Sequence, residues 1–183
     1  MHPSLRFRLF AAALMLAAGG LPAAAQTVGN EISTPQTANF DLDRYMGQWY
    51  EIARLDHPFE RGLIRVTSTR TKAPDGTIQV VNRGIDKATG QARESKATAR
   101  LLESAGRPTV EVDYGVAGGK HTYDVLVMAP DGGHALVGAT DRSALWMFSR
   151  KPTLDASVVE ELKARALSAG FSLDNLMMVE QGT

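Results

Sequence analysis

Short segments in which apolar and polar positions alternate fill the chain from residue 47 to residue 150. The alternation is clearest at 96–101, 109–114 and 122–127, where it places one apolar row on a single face of a strand. Weaker segments at 48–55, 63–72, 77–86, 134–139 and 144–150 bring the predicted strands to eight. Short connections such as Asp75-Gly76 predict tight turns between neighbouring strands. The pattern therefore predicts an all-β fold, an eight-stranded up-and-down antiparallel β-barrel.

The apolar period changes from two to about 3.6 after Arg150, which predicts one C-terminal α-helix. Asp155 or Thr153 can cap its start, and Gly170 marks its end. The predicted apolar face consists of Val158, Val159, Leu162 and Ala166. A single amphipathic helix cannot cover a whole sheet, so we expect it to pack outside the barrel wall. Residues 171–179 offer one last short strand.

Residues 1–25 are typical of a signal peptide. Arg6 and Arg8 precede an apolar stretch at 9–21, and a small-residue cleavage site at 23–25 comes before Gln26. The stretch is shorter than the roughly 20 residues that span a bilayer as a helix. Residues 26–38 are expected to form a flexible leader and 39–183 the barrel domain. We expect a periplasmic or secreted protein that is soluble after cleavage near Ala25/Gln26.

Composition narrows the chemistry further. The chain has no cysteine, which excludes disulfides, thiolate metal sites and thiol catalysis. Removing Arg6 and Arg8 with the signal peptide leaves 18 basic residues against 20 acidic ones, a net charge of −2. That balance favours neither nucleic acid nor an anionic membrane as partner.

Four ordered blocks resemble the lipocalin family, specifically the bacterial outer-membrane lipocalins and the apolipoprotein D-like group. They are Gly47-Gln-Trp-Tyr-Glu-Ile-Ala-Arg54, Asp56-His-Pro-Phe-Glu-Arg-Gly62, Thr140-Asp-Arg142 and Leu145-Trp-Met-Phe-Ser-Arg150. The resemblance implies a calycin barrel that binds a hydrophobic small molecule, a fatty acid or a lysophospholipid, for storage, transport or membrane maintenance. Ala129-Pro130-Asp131 departs from the Thr-Asp-Tyr of many members. Gln26 stands where bacterial relatives carry a lipidated cysteine, so any membrane association is expected to be peripheral.

The Gly-x-Trp block has a structural rather than a ligand-binding explanation. Gly47 lets the chain turn into the first strand, and Trp49 is expected to close the barrel floor with buried apolar area. Arg150 stacking on the Trp49 ring would add about 0.5 to 2 kcal/mol of cation–π attraction. Because a ligand does not enter at the floor, these three residues are predicted to define the fold.

Ligand contacts are expected nearer the open end. Many residues predicted to point inward are small, namely Ala97, Ala99, Val110, Val112, Val125 and Val127, which predicts a roomy lumen. The predicted ligand-binding residues are Trp146, Tyr123, Tyr114, Asn82, Val112, Val125 and Glu51, of which Trp146 matches a position where related lipocalins contact ligand. Ordinary core packing is the alternative for each. Glu51 would need a partner or a raised pKa if buried.

Polar residues near predicted strand ends extend this picture. Arg61, Arg65 and Arg83 are candidates to meet a carboxylate or phosphate at the rim. The longest break, at 56–62, is expected to lie over the open end as a lid.

Two other function classes account for part of the sequence. An enzyme is disfavoured because the usual catalytic motifs are absent and His57, His121 and His134 fall in predicted turns at no metal-ligand spacing. Isomerase or epoxide chemistry in the calyx stays open, as does an envelope interaction module using the methionine-rich segment 176–179. No cofactor or metal is expected, and a homodimer is left open.

Overall fold

The alternating segments form one antiparallel sheet in a computed structural model, which describes residues 40–102 and 106–182. Its strands are β1 (Gly47–Leu55), β2 (Leu63–Lys72), β3 (Ile78–Asp86), β4 (Ala92–Leu102), β5 (Thr109–Asp113), β6 (Lys120–Met128), β7 (His134–Ala139), β8 (Leu145–Ser149) and β9 (Leu176–Met178). The helices are α1 (Leu42–Tyr45), α2 (Gly115–Gly118) and α3 (Ala156–Ser168). The predicted signal peptide (1–25) and leader (26–38) lie outside the described residues.

Strands β1 to β8 close into a barrel because β1 pairs with both β2 and β8. Each of the other strands pairs with its neighbours in the chain, so the order is up and down, as predicted. The ninth strand adds to the far half of β1, where Leu176–Met178 pair with Ala53–Leu55. The prediction of an all-β, eight-stranded antiparallel barrel with one C-terminal helix is confirmed.

The described sheet has three register shifts, and those in β1 and β6 move side chains that the sequence placed on the opposite face. The register shifts between Glu51 and Ala53 in β1 and between Val125 and Val127 in β6. An extra residue reverses the alternation beyond it. The prediction that Val127 points into the lumen is therefore wrong, since Val127 packs in the apolar cluster against α3. By the same reversal, the side chain of Arg54 lies on the same face of β1 as that of Glu51 rather than on the opposite face.

The single long helix packs outside the barrel, as predicted. Asp155 precedes α3 in an extended conformation, the usual backbone of an N-cap. Buried Val159, Leu162 and Ala166 of α3 pack against the outward side chains of β1, β6, β7 and β8. None of the helices within residues 40–102 and 106–182 is long and apolar enough to cross a membrane.

The turn between β7 and β8 is held to the end of α3. Arg142, which has a positive φ of 68°, donates from Nε to the Ala169 carbonyl at 2.9 Å. Its guanidinium lies 5.0 Å from the centroid of the Phe171 ring. A Cβ on Gly138 would come within 2.3 Å of that ring, so only glycine allows Phe171 to pack so close to β7.

The floor of the barrel is built around Trp49. This ring is fully buried, and its Nε1 donates to the Tyr45 carbonyl of α1 at 3.0 Å. Arg150 stacks 3.6 Å from the Trp49 centroid, the arrangement that the sequence predicted. Its Nη1 donates to the Gln48 carbonyl at 2.7 Å and its Nη2 to the Met46 carbonyl at 2.6 Å. Arg150 therefore ties α1 to the start of β1 as well as covering the ring.

Gly47 has a specific reason to be glycine. Its φ is 88°, and a Cβ there would lie 3.3 Å from Nη1 of Arg150. A larger residue would strain the backbone and displace the guanidinium from its carbonyl partners. The Gly-x-Trp block and the distant arginine thus form one unit at the closed end.

Candidate ligand-binding site

The barrel contains a cavity that opens at the end opposite Trp49. Its outer part has a volume of about 710 Å³ and is bordered by residues 56–62, which we call the mouth loop. Its inner part, which we call the inner chamber, has a volume of about 70 Å³. The two parts share Glu60, Asn82, Tyr114, Tyr123 and Trp146 in their walls. Most of the free space therefore lies toward the open end.

The inner chamber is smaller than the small inward residues predict. Ala99, Val110 and Val112 line it as expected, but three large side chains reach into the same space. These are Tyr45, Arg70 and Phe148. The lumen consequently narrows toward the floor.

Most predicted ligand-binding residues meet in this cavity. Glu51, Asn82, Val112, Tyr114, Tyr123 and Trp146 all line the inner chamber. Val125 does not belong to the wall of either part of the cavity. It is fully buried in the apolar cluster that surrounds Trp49, immediately before the bulge in β6. Its role in the structure is core packing.

Trp146 joins the barrel wall to the mouth loop. Its Nε1 donates to Oε2 of Glu60 at 2.9 Å, and its ring meets the rings of His57 and Tyr123 edge-on at centroid distances of 5.3 and 5.4 Å. Nε2 of His57 lies 2.9 Å from the same carboxylate oxygen. Burial raises the pKa of Glu60, but the adjacent His57 imidazole and the hydrogen bond from Trp146 outweigh it and hold the pKa below its usual value. The mouth loop is thus fastened over one side of the opening.

A buried ion pair supports this loop from below. Arg54 and Glu51 are 0% and 1% exposed, and Nη1 of Arg54 donates to Oε1 of Glu51 at 2.7 Å. Nη2 of Arg54 donates to the carbonyls of Glu60 at 2.6 Å and Leu63 at 3.2 Å. Burial raises the pKa of Glu51 well above its usual value; Glu60 adds to this effect and Arg54 opposes it. Glu51 therefore has both a charged partner, Arg54, and the raised pKa that the sequence analysis expected of a buried carboxylate.

The most unusual residue of the cavity is Arg70, which the sequence analysis did not select. It is 6% exposed, lines the inner chamber, and lies 4.0 Å from the Tyr45 centroid and 4.8 Å from the Phe148 centroid. Burial lowers its pKa, although Tyr45 and Tyr114 oppose that effect. Counting from buried Val66 along the inward row of β2 would have found it, because positions 66, 68 and 70 share one face. The weak apolar alternation of β2 concealed this row.

The three arginines expected at the rim have different surroundings. Arg61 and Arg83 border the outer cavity but pair with carboxylates, Arg61 with Asp56 at 2.9 Å and Arg83 with Glu94 at 2.8 Å. Arg65 is not part of the cavity wall. Its positive φ of 53° belongs to an irregular stretch of β2.

The histidines were expected in turns, and two of them lie in strands instead. His121 lies in β6, where its ring meets Tyr114 edge-on and stacks on Tyr123 at centroid distances of 6.0 and 6.3 Å. His134 is the first residue of β7 and has a buried Nε2. Strand β6 begins two residues before the predicted segment at 122–127, whereas His134 opens β7 at its predicted bound.

Comparisons with known proteins agree with this geometry. The family described as "Lipocalin-like domain" matches residues 40–181. Outer membrane lipoprotein Blc of Escherichia coli (strain K12) is 39% identical over 145 residues, which cover 78% of this chain and 80% of that protein. Temperature-induced lipocalin-1 of Arabidopsis thaliana is 30% identical over 154 residues, which cover 77% and 79%.

Solved structures show the same fold at lower identity. Apocrustacyanin C1 has a TM-score of 0.65 at 17% identity and covers 78% of this chain and 81% of its own. Insecticyanin of the tobacco hornworm Manduca sexta has a TM-score of 0.58 at 18% identity, with 77% and 80% covered. The bacterial relatives are named as outer membrane lipoproteins, which is compatible with a location in the cell envelope. These matches support a binding protein rather than an enzyme, in agreement with the sequence analysis. The chain belongs to the lipocalin family and is a lipocalin that binds small hydrophobic molecules.

Proposed function

We propose that this lipocalin binds a single-chain lipid, a fatty acid or a lysophospholipid, and stores it, transports it or returns it to the membrane. The observation that carries the proposal is the cavity of about 710 Å³ that opens beside Trp146 and continues into the inner chamber. This volume lies within the range of about 300 to 1,000 Å³ that is usual for small-molecule sites. Its narrowing toward the floor suits one extended chain better than a broad polycyclic ligand.

The energetics of burial are sufficient for useful affinity. Each methylene moved from water into an apolar lumen contributes about 0.8 kcal/mol, so the roughly 14 methylenes of a C16 chain contribute about 11 kcal/mol. An association cost of at least about 4 kcal/mol leaves about 7 kcal/mol, which corresponds to a Kd in the low micromolar range. One chain supplies every side chain named in the cavity wall, so the proposal holds equally for a monomer and a homodimer.

Replacing Trp146 tests the assignment of the site. Titration of hexadecanoic acid, followed by calorimetry, should give saturable binding near one ligand per chain. Trp146→Ala removes wall area and the anchor of the mouth loop, and we expect it to weaken binding about 5- to 30-fold, or about 1 to 2 kcal/mol. Leu167→Ala, at a 58% exposed position outside the barrel, is the matched control and should bind normally. Unchanged affinity in Trp146→Ala would contradict the assignment.

The proposal includes a route to the envelope. Residues 1–25 are proposed to be a signal peptide cleaved near Ala25/Gln26, residues 26–38 a flexible leader, and 39–183 the ligand-binding domain. N-terminal sequencing of mature protein from a periplasmic or culture-medium fraction checks this directly. An unprocessed amino terminus in that fraction would contradict it.

Peripheral contact with a lipid surface is proposed to occur at the open end. Phe59 in the mouth loop is 77% exposed, and Val116 in α2, at the same end, is fully exposed. Exposed apolar side chains beside a lipid cavity suit insertion into the interface of a bilayer. Co-sedimentation with phosphatidylethanolamine/phosphatidylglycerol vesicles should decrease in a Phe59→Ser/Val116→Ser variant and stay unchanged in Leu167→Ser. Equal sedimentation of all three proteins would exclude this surface.

A further inference from the structure

Arg70 occupies a position where a charge is costly. It lies opposite Gly47 in the β1–β2 register, next to the floor. Its guanidinium is surrounded by aromatic rings, at 4.0 Å from Tyr45, 4.8 Å from Phe148 and 5.6 Å from Trp49. Arginine keeps its proton in proteins, so this buried group is a cation. Contact with ring faces compensates only part of the solvation that it has lost.

No anion among the described residues neutralises this cation. Arg70 has no carboxylate within 4.0 Å in residues 40–102 and 106–182, and its buried Nη1 has no hydrogen-bond partner there. Two other arginines of the barrel, one buried and one half-buried, differ in this respect. Arg54 pairs with Glu51, and Arg150 donates to several backbone carbonyls. Arg70 is thus a cation with donor capacity to spare.

The inner chamber supplies space beside this donor. Its volume of about 70 Å³ exceeds the roughly 10 to 15 Å³ that a cavity needs to hold one water molecule, which leaves room for a carboxylate. Neutral polar side chains of Ser68, Asn82 and Tyr114 line the same chamber. They are able to hydrogen-bond an anion without neutralising Arg70 themselves.

The two carboxylates that line the chamber already have partners. Glu51 is paired with Arg54, and Glu60 accepts from Trp146 and contacts His57. Toward the open end, Arg61 and Arg83 are likewise paired with Asp56 and Glu94. Among the cationic groups described in the cavity wall, Arg70 is therefore the one with which a ligand anion can pair without displacing a carboxylate.

We propose that Arg70 and the inner chamber form an anion subsite that takes the carboxylate of a long-chain fatty acid, which enters head first. The acyl chain then runs outward past Val112 and Tyr123, and the methyl end lies under the mouth loop. The inference rests on the proposed lipid-binding function and deepens it by giving the ligand a head group and a direction. A lysophospholipid, whose larger head group suits the wider outer part of the cavity, binds the same lumen with its head at the opening and without Arg70.

Comparing an acid with an alcohol of equal length tests the subsite. Hexadecanoic acid should bind the wild-type protein at least 10-fold more tightly than hexadecanol at pH 8, where the acid is ionised. Arg70→Met should lose this preference by weakening the acid and leaving hexadecanol unchanged. Arg70→Lys should retain part of it. Arg83→Met, which removes an arginine of the outer cavity, is the matched control and should keep the full preference.

The outcomes separate this inference from the proposed function. If the wild-type protein binds acid and alcohol equally, or if folded Arg70→Met keeps the preference for the acid, the subsite is refuted and lipid binding survives. If neither compound nor a C16 lysophosphatidylethanolamine binds, the proposed function itself fails. If lysophosphatidylethanolamine alone binds, the lumen is a lipid site but the fatty-acid subsite is refuted. Should Arg70→Met fail to fold, the wild-type acid-to-alcohol ratio decides.

The direction of the chain is tested without changing Arg70. The protein has two tryptophans, Trp49 at the floor and Trp146 near the opening, so Trp146→Phe leaves a single reporter at the closed end. At saturation, stearate with a nitroxide on carbon 5 should quench Trp49 more strongly than stearate with a nitroxide on carbon 16. The opposite order would show that the carboxylate faces the opening and would overturn the proposal.

Discussion

Replacing the floor tryptophan tests the division between fold and site most directly. Trp49 is fully buried, donates a hydrogen bond to the Tyr45 carbonyl, and carries the stacked guanidinium of Arg150 at 3.6 Å. Truncation of a buried tryptophan to alanine costs about 3 to 5 kcal/mol. Loss of the cation–π contact adds about 0.5 to 2 kcal/mol, although the cavity that remains can relax in part. We therefore expect Trp49→Ala to lower the free energy of unfolding by about 4 to 5 kcal/mol.

The expected loss is large compared with the about 5 to 15 kcal/mol that stabilises a typical domain. At about 2 to 4 °C per kcal/mol for a chain of this size, the Tm should fall by roughly 10 to 20 °C. Urea denaturation followed by far-ultraviolet circular dichroism measures the effect without using the fluorescence of the deleted ring. Unfolding of Trp49→Ala at a urea midpoint close to that of the wild type would refute the proposed role of the floor.

Trp146→Ala provides the contrast in the same assay. Trp146 is only partly buried, and its partners, His57, Tyr123 and Glu60, lie toward the open end. We expect it to cost less than about 1.5 kcal/mol, within the usual range for point substitutions, because water can enter the space that it leaves. A cost equal to that of Trp49→Ala would show that the two ends of the lumen are not energetically distinct.

Three further predictions concern buried charge and close packing. Arg54→Met should destabilise the protein by about 3 to 5 kcal/mol because it leaves Glu51 unpaired, and Arg54→Met combined with Glu51→Leu should recover much of that loss in urea denaturation; no recovery would contradict the pairing. The pKa of Glu60 is lowered by the adjacent His57 and by the hydrogen bond from Trp146 despite burial, so its contribution to stability is fully present above pH 4.5 and is lost as the pH falls through the lower folded value. Thermal melts of Glu60→Gln should lack that acid-dependent decrease, and a profile parallel to the wild type would argue against it. Gly138→Ala should cost about 1 to 3 kcal/mol because its Cβ would meet the Phe171 ring at 2.3 Å, a prediction that a wild-type Tm would refute.

The strands could be predicted because their cues are local. Alternation and turn residues located all eight barrel strands, and β2 and β7 match their predicted bounds. The bulges could not be predicted, since each depends on pairing with a distant strand rather than on its own sequence. Val127 was therefore assigned to the wrong face, and Arg54 was not recognised as the partner of Glu51. The short helices α1 and α2, of four residues each, carry no periodic signal.

The residues of the candidate site could likewise be predicted only in part. Aromatic residues at inward positions, such as Trp146 and Tyr123, follow from strand parity once the barrel is assumed. Arg70 violates the expectation that inward positions are apolar, so a search for apolar rows passed over it. A charge on an inward row is informative because burying it is costly, and a search for such exceptions would have found it.

The two apolar clusters of the barrel have separate duties. Side chains of β1, β6, β7 and β8 that face α3 form a solid core on the outer side, whereas those around Trp49 and Val112 border the lumen. Substitutions at lumen positions above the floor, such as Val112, can therefore alter which ligand is accepted, while the helix-backed wall and the floor around Trp49 keep the chain folded. Diversification of ligand preference in such a protein is decoupled from the maintenance of its architecture, which makes the barrel a tolerant scaffold for engineered sensors.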